Sequence, residues 1–388
     1  MVYMDYNATT PCDKRVVESM LPYFSENFAN ASSVYQPARA ARKAVEEARE
    51  KVASLAGCLP EEIFFTSGGT ESDNWAIVGA ALKLEARGKH IITSRVEHHA
   101  VINTCKALAR KGYRITYLPV DSHGVVDLSK LEASIKKDTV LVSVMYANNE
   151  IGTIQPVGKI AELARSRGVL FHTDAVQAFG KLPLRLDKNG PDMASFSAHK
   201  LYGPKGVGAL YIRKGVSIPP FIKGGGQEKG RRSGTTNVAG IVGFGRAAEI
   251  VAAEMDADIE RVGNLRDILE KRIMETIPEI VVNGHPENRL HNTLNVCIRY
   301  IEGESILMSL DFEGICASSG SACTSGSLEP SHVLLAIGLP HEVAHGSLRL
   351  SLGRYNTMED VEKVSSVLPG IVDRLRQISP FWNEKKTG

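Results

Sequence analysis

The sequence lacks the features that would place the protein in a membrane, outside the cell or on nucleic acid. No stretch approaches the roughly 18 uninterrupted apolar residues of a membrane span, and the opening residues MVYMDYNATTP contain no basic region followed by an apolar run. We therefore expect neither a membrane anchor nor a secretory signal. The formal net charge of +2 argues against a dedicated nucleic-acid-binding protein, which would carry a basic stripe. These absences favour a cytoplasmic protein.

Cysteine is scarce, and the chain contains no Cys-x-x-Cys pair. The sequence therefore indicates neither a disulfide framework nor a zinc-finger pattern. Each thiol is buried and inert by default, and a reactive one has to be argued from its surroundings. The six cysteines are Cys12, Cys58, Cys105, Cys297, Cys316 and Cys323.

The 388 residues are enough for two domains, and their hydrophobic pattern predicts an α/β fold. Short apolar strands alternate with helices from about residue 63 to residue 200, which predicts a mostly parallel sheet with helices on both faces. We expect helices at Trp75–Leu84 and over a long region, Gly240–Thr276. In such sheets ligands bind at the carboxyl ends of the strands. The polar residues that fall there are Thr70, His98, Asn149, Asp174 and Gln177.

The run SFSAHKLYGPKGVG (Ser195–Gly208) predicts a strand, a tight glycine-rich loop and a second strand, with Lys200 at its centre. A lysine held on such a turn is partly desolvated. Partly desolvated lysines have a lowered pKa and act as nucleophiles and Schiff-base formers. For a single lysine, the ordinary alternative is a surface-loop residue.

The roles of several other residues can be interpreted only in combination with Lys200. Asp174 ends a buried strand, where it caps a helix or keeps a pyridine nitrogen protonated. His98 is either a helix cap or a residue that stacks on a ring. The segment TSGGTESDN follows a strand and precedes a helix, which suits a phosphate, although a plain turn with a Ser/Thr cap has the same pattern. It is neither a Walker A motif nor a GxGxxG motif.

In their order along the chain, these motifs resemble the cysteine desulfurases of iron–sulfur cluster assembly, from Asp5 to Pro380. Those are pyridoxal 5'-phosphate (PLP) enzymes of the class V aminotransferase family, with fold type I. The motifs that carry the resemblance are TSGGTESDN, VEHHAV, ANNEIGTIQP, HTDAVQAFGK, SFSAHKLYGPKGVG, GGGQEKGRRSGT, SSGSACTSG and LRLSLGRYNT.

The resemblance implies the architecture. A large PLP-binding domain over residues 16–255 would hold a mostly parallel seven-stranded sheet, preceded by an N-terminal arm of residues 1–15. A smaller α+β domain over residues 256–388 would pack against the N-terminal segment. The family's site takes a residue from a second subunit, which implies a homodimer.

The resemblance also implies the roles of the site residues. Lys200 would be the Schiff-base lysine, Asp174 the partner of the pyridine nitrogen and Gln177 the partner of the ring hydroxyl. His98 would stack on the ring and take part in proton transfer, with Asn149 close to the cofactor. The phosphate would be held by Gly69, Thr70, Ser197 and His199, and by Thr235 from the other subunit; the substrate would be held by Arg349, at its carboxylate, and by Asn30.

Cys323 lies in the run SSGSACTSG, whose small residues predict an accessible loop. A nucleophilic thiol has to be exposed and able to ionise. The resemblance makes Cys323 the sulfur-accepting cysteine, on the longer, mobile kind of loop, with transient contact to an iron–sulfur cluster as a further possibility. Free L-cysteine would then react at Lys200, Cys323 would take its sulfur as a persulfide, and L-alanine would leave. An iron–sulfur scaffold protein would accept the sulfur.

Several alternatives stay open at this point. The chain departs from the family's pattern at Ala31, Tyr35 and Ala38, near the substrate entrance, which bears on substrate preference. A selenocysteine lyase, an aminotransferase or a sulfur donor for tRNA thiolation would share the fold, and a non-catalytic scaffold would keep it. A metal protein is a further alternative, with the ligands Cys316, Cys323, His332, His341 and His345.

Overall fold

The structure is a computed structural model that describes residues 1–186, 189–319, 329–380 and 382. At its N-terminus, strand β1 (Val2–Tyr3) is followed by helices α1 (Lys14–Met20), α2 (Pro22–Ser25) and α3 (Gln36–Ala56). Helix α3 buries an alanine-rich stripe and ends at Gly57, whose positive φ of 65° closes the helix in the left-handed region.

A seven-stranded sheet forms the centre of the chain, as the resemblance implied. Its strands are β2 (Ile63–Thr66), β3 (His90–Ser94), β4 (Arg114–Leu118), β5 (Thr139–Ser143), β6 (Leu170–Asp174), β7 (Met193–Ser197) and β8 (Gly208–Ile212). They lie in the order β2-β8-β7-β6-β5-β3-β4. Strand β8 pairs antiparallel with β2 and β7, and the other pairs are parallel. The carboxyl ends of β3, β5, β6 and β7 therefore meet at one edge.

Helices pack on both faces of this sheet, because β3, β5 and β7 are buried along their whole length and need apolar cover on each side. The connecting helices are α4 (Gly69–Lys83), α5 (His99–Ala109), α6 (Leu128–Ser134) and α7 (Val157–Ser166). No described helix has both the length and the apolar composition that crossing a bilayer requires.

Helix α4 begins six residues earlier than the predicted start at Trp75, so the prediction was wrong at this end. Glycine, serine and aspartate favour turns in isolation, which is why the segment TSGGTESDN suggested a loop. Here Glu71 completes the first helical turn by accepting hydrogen bonds from the Ser67 backbone N–H at 2.9 Å and from its hydroxyl at 2.5 Å. Arg232 binds the same carboxylate from 161 positions away, at 2.8 and 3.0 Å. Local and tertiary contacts of Glu71 thus extend the helix into a sequence of low helix propensity.

The predicted long helix is confirmed as α8 (Val238–Thr276), a continuous helix of 39 residues. Its first half packs into the core beside the large sheet through Phe244 and Val251. Its second half packs into a separate core through Leu265 and Leu269. The expected domain boundary at residues 255/256 therefore falls inside one helix, and the division into two domains remains a prediction.

The C-terminal part forms a second, smaller sheet in the order β12-β10-β9. Its elements are β9 (Ile280–Asn283), β10 (Thr293–Ile298), α9 (Gly303–Phe312), β11 (Ile315–Cys316), α10 (His332–Ala336), α11 (His341–Ala344), β12 (Ser347–Ser351) and α12 (Met358–Ile378). Strand β1 pairs with β11, and Val2 and Met4 enter the core of this region. The N-terminal segment is thereby joined to the C-terminal part of the chain.

Candidate active site

Lys200 lies at the edge where the parallel strands end, in a 3-10 turn (Ala198–Lys200) that directly follows β7. Its Nζ donates hydrogen bonds to the backbone oxygens of Asn7 and Ala8, at 2.6 Å each. The turn is tight: a Cβ atom at Gly208 would lie 2.5 Å from the Phe196 oxygen. The sheet and the N-terminal segment therefore hold this amine between them.

Asp174, the last residue of β6, is buried near Lys200. Its Oδ1 accepts a hydrogen bond from the Val176 backbone N–H at 2.9 Å, so the side chain shapes the local turn as a cap would. Burial raises its pKa to about 6, although the positive charge of Lys200 acts in the opposite direction. A carboxylate of this kind is stabilised by any cation or protonated nitrogen placed beside it.

His98 caps α5, and its Nδ1 accepts a hydrogen bond from the Ala100 backbone N–H at 3.1 Å. Burial, together with the neighbouring charge of Lys200, lowers its pKa to about 4. The ring is therefore neutral at physiological pH, with its proton on Nε2. Three potential ligand atoms, one from each of His98, Asp73 and Asp174, lie within 4.8 Å of one another.

Asp73 was not singled out from the sequence. It is fully buried on α4, and burial followed by the charge of Asp174 raises its pKa. His172 Nε2 lies 3.6 Å from its Oδ1, but burial lowers the pKa of His172 to about 3, so this contact is not an ion pair. This end of the sheet thus carries protonatable carboxyl groups beside neutral imidazoles.

The trio of Asp73, His98 and Asp174 is also a donor set that could hold a metal ion. The alternative metal site of the sequence analysis does not form among the described residues. His332 Nε2 instead lies 2.9 Å from the Glu97 backbone oxygen, and His341 lies 3.6 Å from Glu329.

The end of the site suited to a phosphate is the N-terminus of α4. A Cβ atom at Gly69 would lie 2.6 Å from Val176 Cγ2, so only glycine fits there. Ser197 is buried close to Gly68, whereas Thr70 is exposed. His199 Nδ1 lies 3.1 Å from the Thr9 hydroxyl, and burial lowers its pKa to about 4. Backbone N–H groups at a helix N-terminus bind anions.

Gln177 is buried and lies next to the N-terminal segment, which the sequence analysis did not connect to the site. Its Nε2 donates a hydrogen bond to the Asn7 backbone oxygen at 2.9 Å. Lys181 Nζ donates to Gln177 Oε1 at 2.8 Å and to Asn7 Oδ1 at 2.9 Å. The motif HTDAVQAFGK contained Lys181, four residues after Gln177, but nothing local distinguished this lysine from a surface one.

Arg349 lies on β12 and is buried. Its Nη1 donates to the Asn149 backbone oxygen at 3.1 Å, and its Nη2 forms a 2.8 Å ion pair with Asp5. Its buried Nε has no hydrogen-bond partner among the described residues. The structure thus brings Arg349 and Asn149 together, and it adds Asp5 as a partner that the sequence did not reveal.

Three of the predicted site residues lie apart from this centre or cannot be placed. Thr235 is exposed in the segment before α8, and Asn30 is exposed, with its Oδ1 accepting from the Ser32 backbone N–H at 2.9 Å. Cys323 lies outside the described residues. None of the five described cysteines is in a disulfide.

The model of the aminotransferase class-V family matches residues 2–364. The chain belongs to this family. It is 53% identical to "Cysteine desulfurase IscS" of Dictyoglomus turgidum, over 99% of this chain and 98% of the relative. A solved structure of a NifS-like protein superposes with a TM-score of 0.91 at 44% identity, over 96% of this chain and all of that one. The solved structure of SspA in complex with cysteine gives a TM-score of 0.81 at 39% identity, over 92% of this chain and all of that one.

These similarities confirm the predicted family and the predicted fold class. The side chains at the strand ends also fit PLP, the cofactor implied by the class V motifs. They provide an amine at Lys200, a buried carboxyl group at Asp174, a neutral imidazole at His98 and a helix N-terminus that opens at Gly69.

Proposed function

We propose that the protein is a PLP-dependent cysteine desulfurase. It converts L-cysteine to L-alanine and passes the sulfur, as a persulfide on Cys323, to an iron–sulfur scaffold protein. The observation that carries this proposal is the convergence of Lys200, Asp174 and His98 at one edge of the sheet. The similarity to a cysteine desulfurase and the cysteine complex of the structural neighbour SspA support the substrate.

PLP, when bound, supplies an electron sink for the electron pair left at the substrate Cα. Lys200 would hold the cofactor through its amine, and the same amine would move the Cα proton. Asp174 would provide the negative charge that keeps the ring nitrogen protonated. Its burial removes competing water, which strengthens this interaction.

His98 is a neutral imidazole with the proton on Nε2, and in this form it would cover the ring. Because Nδ1 is used by the helix cap, the ring keeps one orientation. Arg349 orients the substrate carboxylate. Its ion pair with Asp5 and its contact with Asn149 hold the guanidinium in one place before substrate arrives.

The sulfur step is balanced without an added oxidant. The Cys323 thiolate attacks the substrate sulfur, an S–S bond forms and the Cβ–S bond breaks. The electron pair of the broken bond remains on the carbon skeleton, which takes up protons and leaves as L-alanine. One L-cysteine and one thiol thus give one L-alanine and one persulfide.

We also propose that the protein is a homodimer that works in the cytoplasm. An exposed Thr235 is available to reach the site of a second copy. Large apolar side chains near the start of the chain, Phe24, Phe28 and Val34, are 65%, 75% and 88% exposed, which favours cover by another subunit. The described cysteines form no disulfide, which suits a reducing compartment.

The deciding experiment adds L-cysteine to the PLP-loaded protein and measures alanine together with persulfide by mass spectrometry. Cys323→Ser is expected to keep the visible absorption band of bound PLP and to lose the persulfide and the alanine. Cys316→Ser is the matched control, since it removes a described thiol that has no proposed role, and it should retain both products. Full alanine production by Cys323→Ser would contradict the assignment of the nucleophile.

A further inference from the structure

Lys181 is a buried lysine whose contacts within the described part of the chain include no carboxylate. The residue is only 8% exposed, and its Nζ donates to two neutral oxygens, Gln177 Oε1 and Asn7 Oδ1. Burial lowers its pKa, and the charges of Lys200 and Arg349 lower it further. Because a buried ammonium without a counter-ion is costly, a lysine retained here calls for a role other than stabilising the fold.

The contact with Lys181 determines which way the Gln177 amide points. A lysine ammonium group has donors and no acceptor, so the atom of Gln177 that it contacts has to be the oxygen. Gln177 Oε1 therefore faces Lys181, and Nε2 is left to face the opposite side, where it donates to the Asn7 backbone oxygen at 2.9 Å. Lys200 Nζ donates to that same oxygen at 2.6 Å. Lys181 is thus linked to Lys200 through two fixed amides.

Asn7 is fixed in turn by the small sheet. Its Oδ1 also accepts from Asn292 Nδ2 at 3.1 Å, and its Nδ2 donates to Thr293 Oγ1 at 2.8 Å and to the Asn149 backbone oxygen at 3.1 Å. The Asn7 side chain therefore cannot turn to compensate if Lys181 is removed. Gln177 is held at its oxygen by Lys181 and at its nitrogen by the Asn7 backbone oxygen, and it loses the first of these contacts if Lys181 is removed.

A cavity of about 30 Å³ lies behind Lys181 and Lys200. It has room for one or two water molecules. His291 on its wall has a buried Nδ1 that no described residue binds, and burial lowers the pKa of this ring to about 3, so it remains neutral. Asp258 also lines the cavity, but it is bound by Arg354 at 2.9 Å. Asp5 is likewise already paired, with Arg349. Neither carboxylate neutralises Lys181.

We propose that Lys181 is a positioning residue that fixes the Gln177 amide so that its N–H group, and not its oxygen, faces the ring hydroxyl of bound PLP. The proposal rests on the proposed function, since it assumes PLP attached at Lys200. A hydrogen bond donated to the ring oxygen stabilises negative charge there. The ring oxygen therefore attracts the proton on the linking nitrogen, between PLP and Lys200, less strongly.

The test is a pH titration of the visible absorption of the PLP-loaded protein. In Lys181→Met, the Gln177 amide loses the contact that holds its oxygen, so its N–H group is less firmly directed at the ring oxygen, and we expect the pKa of the absorption change to rise by about 0.5–1 unit. Lys205→Met is the matched control, because Lys205 is an exposed lysine on the loop that leaves the Lys200 turn. It removes the same charge and should leave that pKa unchanged.

A double-mutant cycle identifies the route of the effect. Gln177→Leu is expected to shift the pKa in the same direction, and Lys181→Met should add nothing in the Gln177→Leu background. Additive shifts, or an unchanged pKa in Lys181→Met, would overturn the proposal. Lys181→Leu, which likewise has no donor, has the same expected direction and serves if Lys181→Met does not fold. A wild-type protein that binds no PLP would refute the proposed function itself, so the two failures are distinguishable.

Discussion

Two parts of the site are built in opposite ways. We call the residues at the strand ends, Asp174, His98 and Lys200, the floor. We call the ion pair of Asp5 with Arg349, with its contact to Asn149, the clamp. In the floor, burial raises the pKa of Asp174 and lowers that of His98, and both shifts favour the neutral side chain. In the clamp, opposite charges are paired at 2.8 Å. The floor is prepared for an added charged group, whereas the clamp already pairs opposite charges before substrate binds.

This difference predicts which property each part controls. Changes in the floor should remove chemistry and spare the fold, because burial disfavours the charged forms of Asp174 and His98 until a charged cofactor lies beside them. Changes in the clamp should reduce stability, because they leave a buried charge alone. The predictions below test this separation.

Lys200→Ala should have the largest effect. Without the amine there is no attachment point and no group to move the Cα proton, so alanine formation should fall by more than about 10³-fold. Lys205→Ala is the control and should keep its activity. Urea unfolding should show that Lys200→Ala is about as stable as the wild type. A large loss of stability would contradict the separation of floor and clamp.

Asp5→Asn should have the next largest effect, and its main consequence should be on stability. The Arg349 side chain is only 4% exposed, so losing its counter-ion leaves a buried charge unpaired. We expect the free energy of unfolding to fall by about 3 kcal/mol. The comparison is Asp138→Asn, which breaks the half-exposed pair with Arg114 and should cost less than about 1 kcal/mol. Equal losses of unfolding free energy in the two variants would contradict the stabilising role of the clamp.

Glu97→Gln should have the smallest effect, visible only in the pH dependence of stability. Glu97 is buried next to His98, and burial raises its pKa to about 8. A carboxyl group whose folded pKa is raised stabilises the fold while it is protonated. That contribution is lost as the pH rises from about 4.5 through 8.

Glu97→Gln should therefore be more stable than the wild type at about pH 8.5, by about 1–2 kcal/mol, and the difference should shrink towards about pH 5. Urea unfolding of the two PLP-free proteins at both pH values measures this difference in stability. Parallel pH profiles for the two proteins would show that Glu97 does not carry the effect.

The floor could be predicted from the sequence, because each of its residues closely follows a strand whose apolar pattern is visible. Asp174 ends β6, and Lys200 follows β7 within three residues. The clamp could not be predicted in the same way. Asp5 and Arg349 lie 344 positions apart, and no local pattern marks them as partners.

The same reason explains the other residues that sequence reasoning missed. Asn7 acts on Gln177 from 170 positions away, and Lys181 is bound to Asn7 over 174. Strand β1 has two residues, too few to show a period, and it exists only because β11 is available for pairing. The start of α4 was misplaced because helix propensity does not decide it, and one contact of Glu71 that supports it comes from Arg232, 161 positions away.

Helix α8 bears on how the chain can be divided. Its 39 residues extend over about 58 Å, and a cut at residues 255/256 would leave each fragment with half of one helix. One fragment would expose Phe244 and Val251, and the other would expose Leu265 and Leu269. Separately expressed halves should therefore aggregate, and split-protein or domain-swap engineering of this enzyme has to place its junction outside α8.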